Sequence, residues 1–375
     1  MMQLKPITAI LFALLLVGCR VVAQDTAPVP VSDMPLLSQG MHLGTTFYGG
    51  GRLPDDVSVR KIVTDASAQG MNAFTFYEDW SELEPEPGVY DLDDLDKMLI
   101  WLESSHLTPL LNLTLIDVSD LNMPLDLLSP DRMSLRDGVS FDDPKIVKRL
   151  HALLDEIVPR LVQHGGFLLL LGNEVDRHFV EVNPAARAGY VRLIQNARDH
   201  VHAIAPKLAV GVTLTGNEVL QQGPTFQALR SVTDIIPFNY YPLSPEFTVL
   251  PLDEIPAHIK TYISIYGSGP VIIQELGCPS GSALESSREY QRQCFEIMFK
   301  TLKHYSQVRY VTVFSLFDWD EETCNSIVAS LGFTAEQIPS PYFERIRDFL
   351  CTLGLLNADL SPKPAWDVFI EALSP

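Results

Sequence analysis

Cationic side chains are scarce in this chain of 375 residues. The 27 Lys and Arg stand against 47 Asp and Glu, giving a formal net charge of -20 and a pI near 4.7. Such an acidic surface repels phosphate backbones, which excludes nucleic acid as a partner and suits an uncharged one. Cysteine is sparse as well, at five, and no Cys/His spacing has the form of a zinc site. No G-x-G-x-x-G follows the first strand-like segment and no phosphate-binding loop occurs, so neither a cofactor nor a metal is expected. Long apolar runs are also missing. The one near the start, Ile7–Val17, is too short to cross a bilayer.

That first run has the form of an export signal, with Lys5 the only charge before it. Leu16-Val17-Gly18-Cys19 resembles a bacterial lipoprotein box and predicts cleavage before Cys19, whose lipid would be the chain's one link to a membrane. Cleavage after Val21-Val22-Ala23, giving a soluble exported form, is the alternative; residues 1–23 are assigned to the signal segment, which contains both candidate cleavage points. Residues 24–38, rich in Pro, Val and Asp, read as a tether. The remainder, 39–375, is 300-odd residues of ordinary globular composition, the whole chain being 46% apolar and 20% charged.

Within it, strand-like and helix-like segments alternate. Strands are predicted at His42–Phe47, Asn72–Tyr77, Thr108–Leu113, Phe167–Leu171, Leu208–Leu214, Asp234–Phe238, Pro270–Ile273 and Tyr310–Phe314. Asp143-Pro144 and Asn183-Pro184 each offer an N-cap followed by proline at the first helical position. Eight strand–helix units over this length predict a (β/α)8 barrel, with a doubly wound open sheet as the rival. Two of the strands end alike. Phe167–Asp176 (FLLLLGNEVD) runs apolar into Asn173 and Glu174, and Gly269–Ser280 (GPVIIQELGCPS) runs apolar into Gln274 and Glu275. In a barrel both ends lie on the C-terminal rim, where active sites are built, so two carboxyls distant in sequence become a pair. A carboxyl stripped of water there holds its proton more tightly, as a general acid must.

These segments resemble the clan A glycoside hydrolases, retaining (β/α)8 enzymes, over nearly the whole mature chain. Strand four ending in Asn173-Glu174 and strand seven ending in Glu275 carry the likeness. Trp80–Tyr90 (WSELEPEPGVY), Asn239-Tyr240-Tyr241-Pro242 and Gly354–Trp366 (GLLNADLSPKPAW) are similar to other rim and closing segments of the clan. Within it, the stretches around Glu174 and Glu275 look most like family 17 β-1,3-glucanases, whose nucleophile is followed by x-G-W/Y-P-S; here Cys278 takes the aromatic position and Gln274 stands where a small residue is usual. The resemblance implies Glu174 as acid/base, Glu275 as nucleophile, Asn173 as a ligand of a sugar 2-hydroxyl, and a polysaccharide or oligosaccharide substrate cleaved with retention. An endo-β-1,3-glucanase is the first expectation. A β-mannanase, β-1,4-glucanase or galactanase, or a carbohydrate-binding surface protein without turnover, are the alternatives.

Other residues are assigned around that pair. Tyr240 and Tyr241 alternate across a strand end, so one points into the cleft, and Tyr240 is chosen. Trp319, Trp80 and Tyr48 are candidate sugar-stacking rings, with core packing as the competing role for the last two. Asn112 and Asp117 are placed to bind hydroxyls or merely to end strand three. The Glu82, Glu84 and Glu86 group reads as a solvated turn. The connection from Ile116 to Asp143 is expected to wall the cleft. Of the four cysteines beyond Cys19, Cys324 and Cys351 are paired by their place near the C-terminus, and Cys278 is read as packing. A monomer is expected.

Overall fold

The computed structural model describes residues 41–47, 56–180, 184–330, 338 and 340–374. The leader, the tether, Tyr48 and Asn183 lie outside the described residues. Eight strands line the interior: β1 (His42–Thr45), β2 (Ala73–Asp79), β3 (Thr108–Thr114), β4 (Leu168–Leu170), β5 in two pieces (Ala209–Gly211 and Leu214–Thr215), β6 (Phe238–Tyr240), β7 (Val271–Leu276) and β8 (Val308–Val313). All pair in parallel. The pairing order runs from the first piece of β5 through β4, β3, β2, β1, β8, β7 and β6 to the second piece of β5. Its two ends are consecutive parts of one strand, so the sheet closes on itself as a (β/α)8 barrel.

The helices between strands bury one stripe each. α1 (Val57–Ala68), α2 (Asp93–Ser104), α3 (Pro144–Gln163), α4 (Pro184–Ile204), α5 (Pro224–Leu229), α6 (Ile255–Ile265) and α7 (Arg288–Leu302) precede the closing α8 (Pro364–Ala372). α3 starts where the sequence predicts: the Asp143 carboxylate accepts from Lys145 N at 2.8 Å, with Pro144 behind it. It then buries Ile146, Leu150, Leu153, Leu154, Ile157, Val158 and Leu161 along a 3.6-residue period. Each such side chain is worth about 1.5–3 kcal/mol on leaving water.

Inside the barrel, Ala73, Leu110, Leu168, Leu170, Ala209, Ile272 and Tyr310 form one cluster. Coming from β2, β3, β4, β5, β7 and β8, they meet across the lumen, so the floor is packed and dry. The lumen becomes polar above it, where Thr75 Oγ1 and Thr312 Oγ1 lie 2.6 Å apart and Asn112, Thr213 and Gln274 are wholly buried. The polarity gradient points towards the C-terminal rim.

Two strand expectations are corrected. β6 begins at Phe238 rather than Asp234, because the Asp234 carboxylate accepts from Val210 N at 2.8 Å and from His202 Nε2 at 2.9 Å. That anchors the segment to β5 through one bridge, Gly211 to Ile235, in place of a ladder. β5 itself is interrupted at Val212 and Thr213. Beyond β8, helices Glu321–Ser330 and Tyr342–Cys351 are joined by the Cys324–Cys351 disulfide, the expected pair; Cys278 proves bonded to Cys294. Among the described residues no helix is long and apolar enough to cross a membrane.

Candidate active site

A cavity of about 1160 Å³ opens at the C-terminal rim and is lined by both Glu174 and Glu275. β4 stops at Leu170, and the chain turns at Gly172, whose φ of 129° suits glycine: a Cβ there would lie 2.7 Å from Val175 Cγ1 and 2.9 Å from Tyr190 Oη. The turn is tied on three sides. Asn173 pairs by backbone with both Ile116 and Val118, Tyr190 Oη donates to Leu171 O at 2.6 Å, and the Asp176 carboxylate accepts from Thr215 N at 2.8 Å and Thr215 Oγ1 at 2.7 Å. Glu174 is thereby held at φ 46°, a left-handed conformation costing a side-chain-bearing residue about 1–2 kcal/mol. Its carboxyl is half-buried and accepts from Asn239 Nδ2 at 2.9 Å.

Glu275, at the end of β7, is 7% exposed and held by donors. Tyr77 Oη donates to its Oε1 at 2.7 Å, Tyr241 Oη to its Oε2 at 2.6 Å, and Asn173 Nδ2 reaches Oε1 at 3.4 Å. Asn173 Nδ2 also donates to Asp117 Oδ1 at 3.0 Å, and Asn173 Oδ1 accepts from Asn239 Nδ2 at 3.1 Å. The two glutamates therefore belong to one network joined through Asn173 and Asn239. No Lys or Arg is among the described lining residues, so neutral donors carry the stabilisation of negative charge.

Burial raises the pKa of both acids, and each is pulled differently thereafter. The charge on Glu275 pushes Glu174 further, to about 8, whereas the hydrogen bonds from Tyr241, Tyr77 and Asn173 draw Glu275 back down. Two phenols donate to Glu275 and one amide to Glu174, which favours the charge on Glu275 and the proton on Glu174. Asp117 is a third acid of the cleft, pushed up to about 7 by burial and opposed by its bond from Asn173. Among the described residues no three His, Cys, Asp or Glu side chains are grouped to hold a metal ion.

The remaining candidates divide. Trp319 lines the cleft, together with Asp117, Val118 and Asn122 from the Ile116–Asp143 connection. Tyr240 does not reach Glu275. It is 1% exposed, its hydroxyl lies 3.2 Å from His258 Nδ1 and its ring packs on Tyr262, so Tyr241, one residue beyond the end of β6, is the tyrosine on the nucleophile's side. Trp80 is wholly buried, its indole donating to Glu84 Oε2 at 2.7 Å, and does not line the cleft. Glu84 is no solvated turn residue: at 1% exposed it accepts also from Gly88 N at 2.8 Å and from Arg149 Nε at 3.0 Å. Asn112 sits below the cleft in the polar lumen, where its Oδ1 accepts from Gly172 N at 3.2 Å. Sequence reasoning missed Tyr77 and Asn239, and weighed Tyr241 but passed it over for its neighbour. Period-2 alternation along β2 was the available signal for Tyr77, two residues on from the lumen-facing Thr75.

No protein-family model matches the chain, and no curated protein is similar to it in sequence. Solved structures do match in fold. A GH5_18 protein from Bifidobacterium longum subsp. longum, bound to Manβ1-4GlcNAc, superposes with a TM-score of 0.67 at 14% identity, over 89% of this chain and 78% of that one. An exo-β-1,4-mannosidase from Opitutaceae bacterium strain TAV5 gives 0.59 at 17% identity, over 89% and 59% of the two chains. A psychrophilic family 10 endo-β-1,4-xylanase gives 0.59 at 16%, over 88% and 96%. The family 17 likeness read around Glu275 gains no support from these neighbours, which belong to families 5 and 10. The architecture that this chain shares with them is the (β/α)8 barrel.

Proposed function

We propose that this protein is a retaining glycoside hydrolase acting on a β-linked glycan. The observation that carries the reading is the shared network at the ends of β4 and β7: a half-buried carboxyl whose proton affinity is raised, and a buried one that accepts hydrogen bonds from two phenols. Glu275, ionised, attacks the anomeric carbon while Glu174 gives its proton to the leaving oxygen. Once the glycosyl–enzyme ester has formed, Glu275 is neutral and no longer raises the proton affinity of Glu174. Glu174 then takes a proton from water, which opens the ester with net retention. Asn239 Oδ1, buried beside Glu174 with no hydrogen-bond partner among the described residues, would be satisfied by a substrate hydroxyl. Trp319 would supply an apolar ring face.

The sugar is read from two supports. The Manβ1-4GlcNAc held by the Bifidobacterium neighbour favours a β-mannoside, and the Glu275–Ser280 segment favours a β-1,3-glucan. Reducing-end release from a panel of β-mannans, β-1,3- and β-1,4-glucans and galactan distinguishes them, and binding without release from any would favour a non-catalytic role. Azide with Glu174→Ala should give a glycosyl azide of retained configuration, and with Glu275→Ala one of inverted configuration. The reverse outcome by NMR exchanges the two roles. We further propose that the protein works outside the cytoplasm, because its two disulfides need an oxidising compartment. Loss from the membrane fraction on Cys19→Ala separates a lipid-anchored form from a soluble one.

A further inference from the structure

One buried amide under the nucleophile is unused by the hydrolytic steps. Gln274 precedes Glu275, and strict alternation would send the two to opposite faces of β7. The register of β7 slips between Ile273 and Glu275 against β6, and again between Ile273 and Leu276 against β8, and this bulge turns both side chains inward. Gln274 is wholly buried, and both ends of its amide are engaged. Nε2 donates to Tyr77 Oη at 3.2 Å and to Asn173 Oδ1 at 3.1 Å, while Oε1 accepts from Asn112 Nδ2 at 3.1 Å and from Thr213 Oγ1.

The direction of these bonds is not free, because the chain of amides begins on a backbone donor. Gly172 N can only donate, so the Asn112 atom facing it is Oδ1 and its Nδ2 faces Gln274. The Gln274 atom meeting Asn112 is therefore Oε1, and Nε2 faces Tyr77 and Asn173. Tyr77, accepting there, turns its one proton to Glu275. Asn173, accepting from Gln274 and Asn239 on Oδ1, presents Nδ2 to Glu275 and Asp117.

We infer that Gln274 is a positioning residue: it transmits hydrogen-bond polarity from the Gly172 backbone amide, through Asn112, to Tyr77 and Asn173, so that both present donors to Glu275. Its role in catalysis rests on the hydrolytic reading, but its effect on Glu275 does not. The titratable groups facing Glu275 are Tyr77 from β2, Asp117 beyond β3, Glu174 beyond β4 and Tyr241 beyond β6, and Gln274→Glu and Asn112→Asp leave all of them in place.

The test follows the carboxyl carbon of Glu275 by NMR in 13C-glutamate-labelled protein, assigned by its loss in Glu275→Gln, alongside the pH profile of kcat/KM. Gln274→Glu cannot donate from an ionised side chain, so Tyr77 would donate to residue 274 and not to Glu275. Asn112→Asp, further from the nucleophile, still accepts from Gly172 N but turns the Gln274 amide round. Each variant is expected to raise the Glu275 midpoint by about one pH unit, the worth of one charge-assisted hydrogen bond. Tyr77→Phe should raise it similarly, and adding Gln274→Glu to Tyr77→Phe should add little further shift. Unmoved midpoints in folded Asn112→Asp and Gln274→Glu, folding judged by circular dichroism, would overturn the inference even if both lost activity. Shifted midpoints in a protein that cleaves no β-glycoside would uphold the relay and remove the hydrolase.

Discussion

Glu174→Gln separates what a catalytic acid does for turnover from what it does to stability. The side chain keeps its shape and its contact with Asn239, but loses the ability to ionise. In the folded protein the Glu174 pKa rises from 4.5 to about 8, chiefly through burial and then through the charge on Glu275. The folded state thus binds this proton more tightly than the unfolded chain, so its stability is greatest below pH 4.5 and falls as pH climbs towards 8. At full effect that displacement would be about 5 kcal/mol, and with the carboxyl half-buried and screened by solvent we expect about 1–3 kcal/mol. Glutamine carries no such cost. Urea unfolding of the two proteins should therefore diverge with pH, the variant gaining about 1–3 kcal/mol over wild type between pH 4.5 and 8. Over the same range kcat/KM for an unactivated glycoside should fall by roughly 10²–10⁴, the usual worth of a general acid, and the alkaline limb of the profile should vanish. A stability difference that stays flat across that range would refute the assignment of a buried, proton-retaining acid to Glu174, whatever happens to the rate.

Four further perturbations test individual placements. Tyr241→Phe removes a hydrogen bond to a charged group worth about 1.5–3 kcal/mol, so kcat/KM should fall by about 10- to 100-fold and its acidic limb should move up. Tyr240→Phe, which loses only its contact with His258, should leave both unchanged in the same assay. Glu84→Ala leaves Arg149 and the Trp80 indole without their buried partner, and should cost about 3–5 kcal/mol in urea unfolding, where a solvated turn residue would cost almost nothing. Replacing Cys324 and Cys351 by serine opens a link across 27 residues. Thermal unfolding should register about 2–4 kcal/mol, and KM should rise because Ile327, Phe349 and Leu350 of the linked helices line the cleft.

The barrel was legible because its signals are long and repeated. Short apolar runs bounded by glycine, such as Phe167–Leu171, fit a strand buried on both faces, and Asp143-Pro144 marks a helix start by chemistry that hardly varies with context. Placing Glu174 and Glu275 on one rim needed only the strand count and the parallel direction. The errors share a different cause. Tyr240 was chosen over Tyr241 by alternation, yet β6 ends at Tyr240 and the rule has no force on the next residue. Trp80 was read as a strand-end ring, but the chain enters a helical turn at that residue and carries the indole inward to Glu84. Glu84 was judged by its acidic and proline neighbours, and only the fold brings up Arg149, which comes from α3.

At Tyr241 and Trp80 the period of the strand breaks within a residue or two of the rim, and the same is true of Gln274. A regular strand presents every second side chain to the lumen and cannot crowd two consecutive polar groups there. The bulge in β7 does so, placing the nucleophile and the amide that orients its donors in the same interior. Such departures from regularity are costly and are expected where chemistry demands them. For this chain the rim residues that break the pattern are therefore better guides to the reaction than those that keep it, and Asn112→Asp, which alters the network from inside a regular strand, is the substitution that shows whether the bulge at Gln274 directs the charge on Glu275 or only fills the barrel.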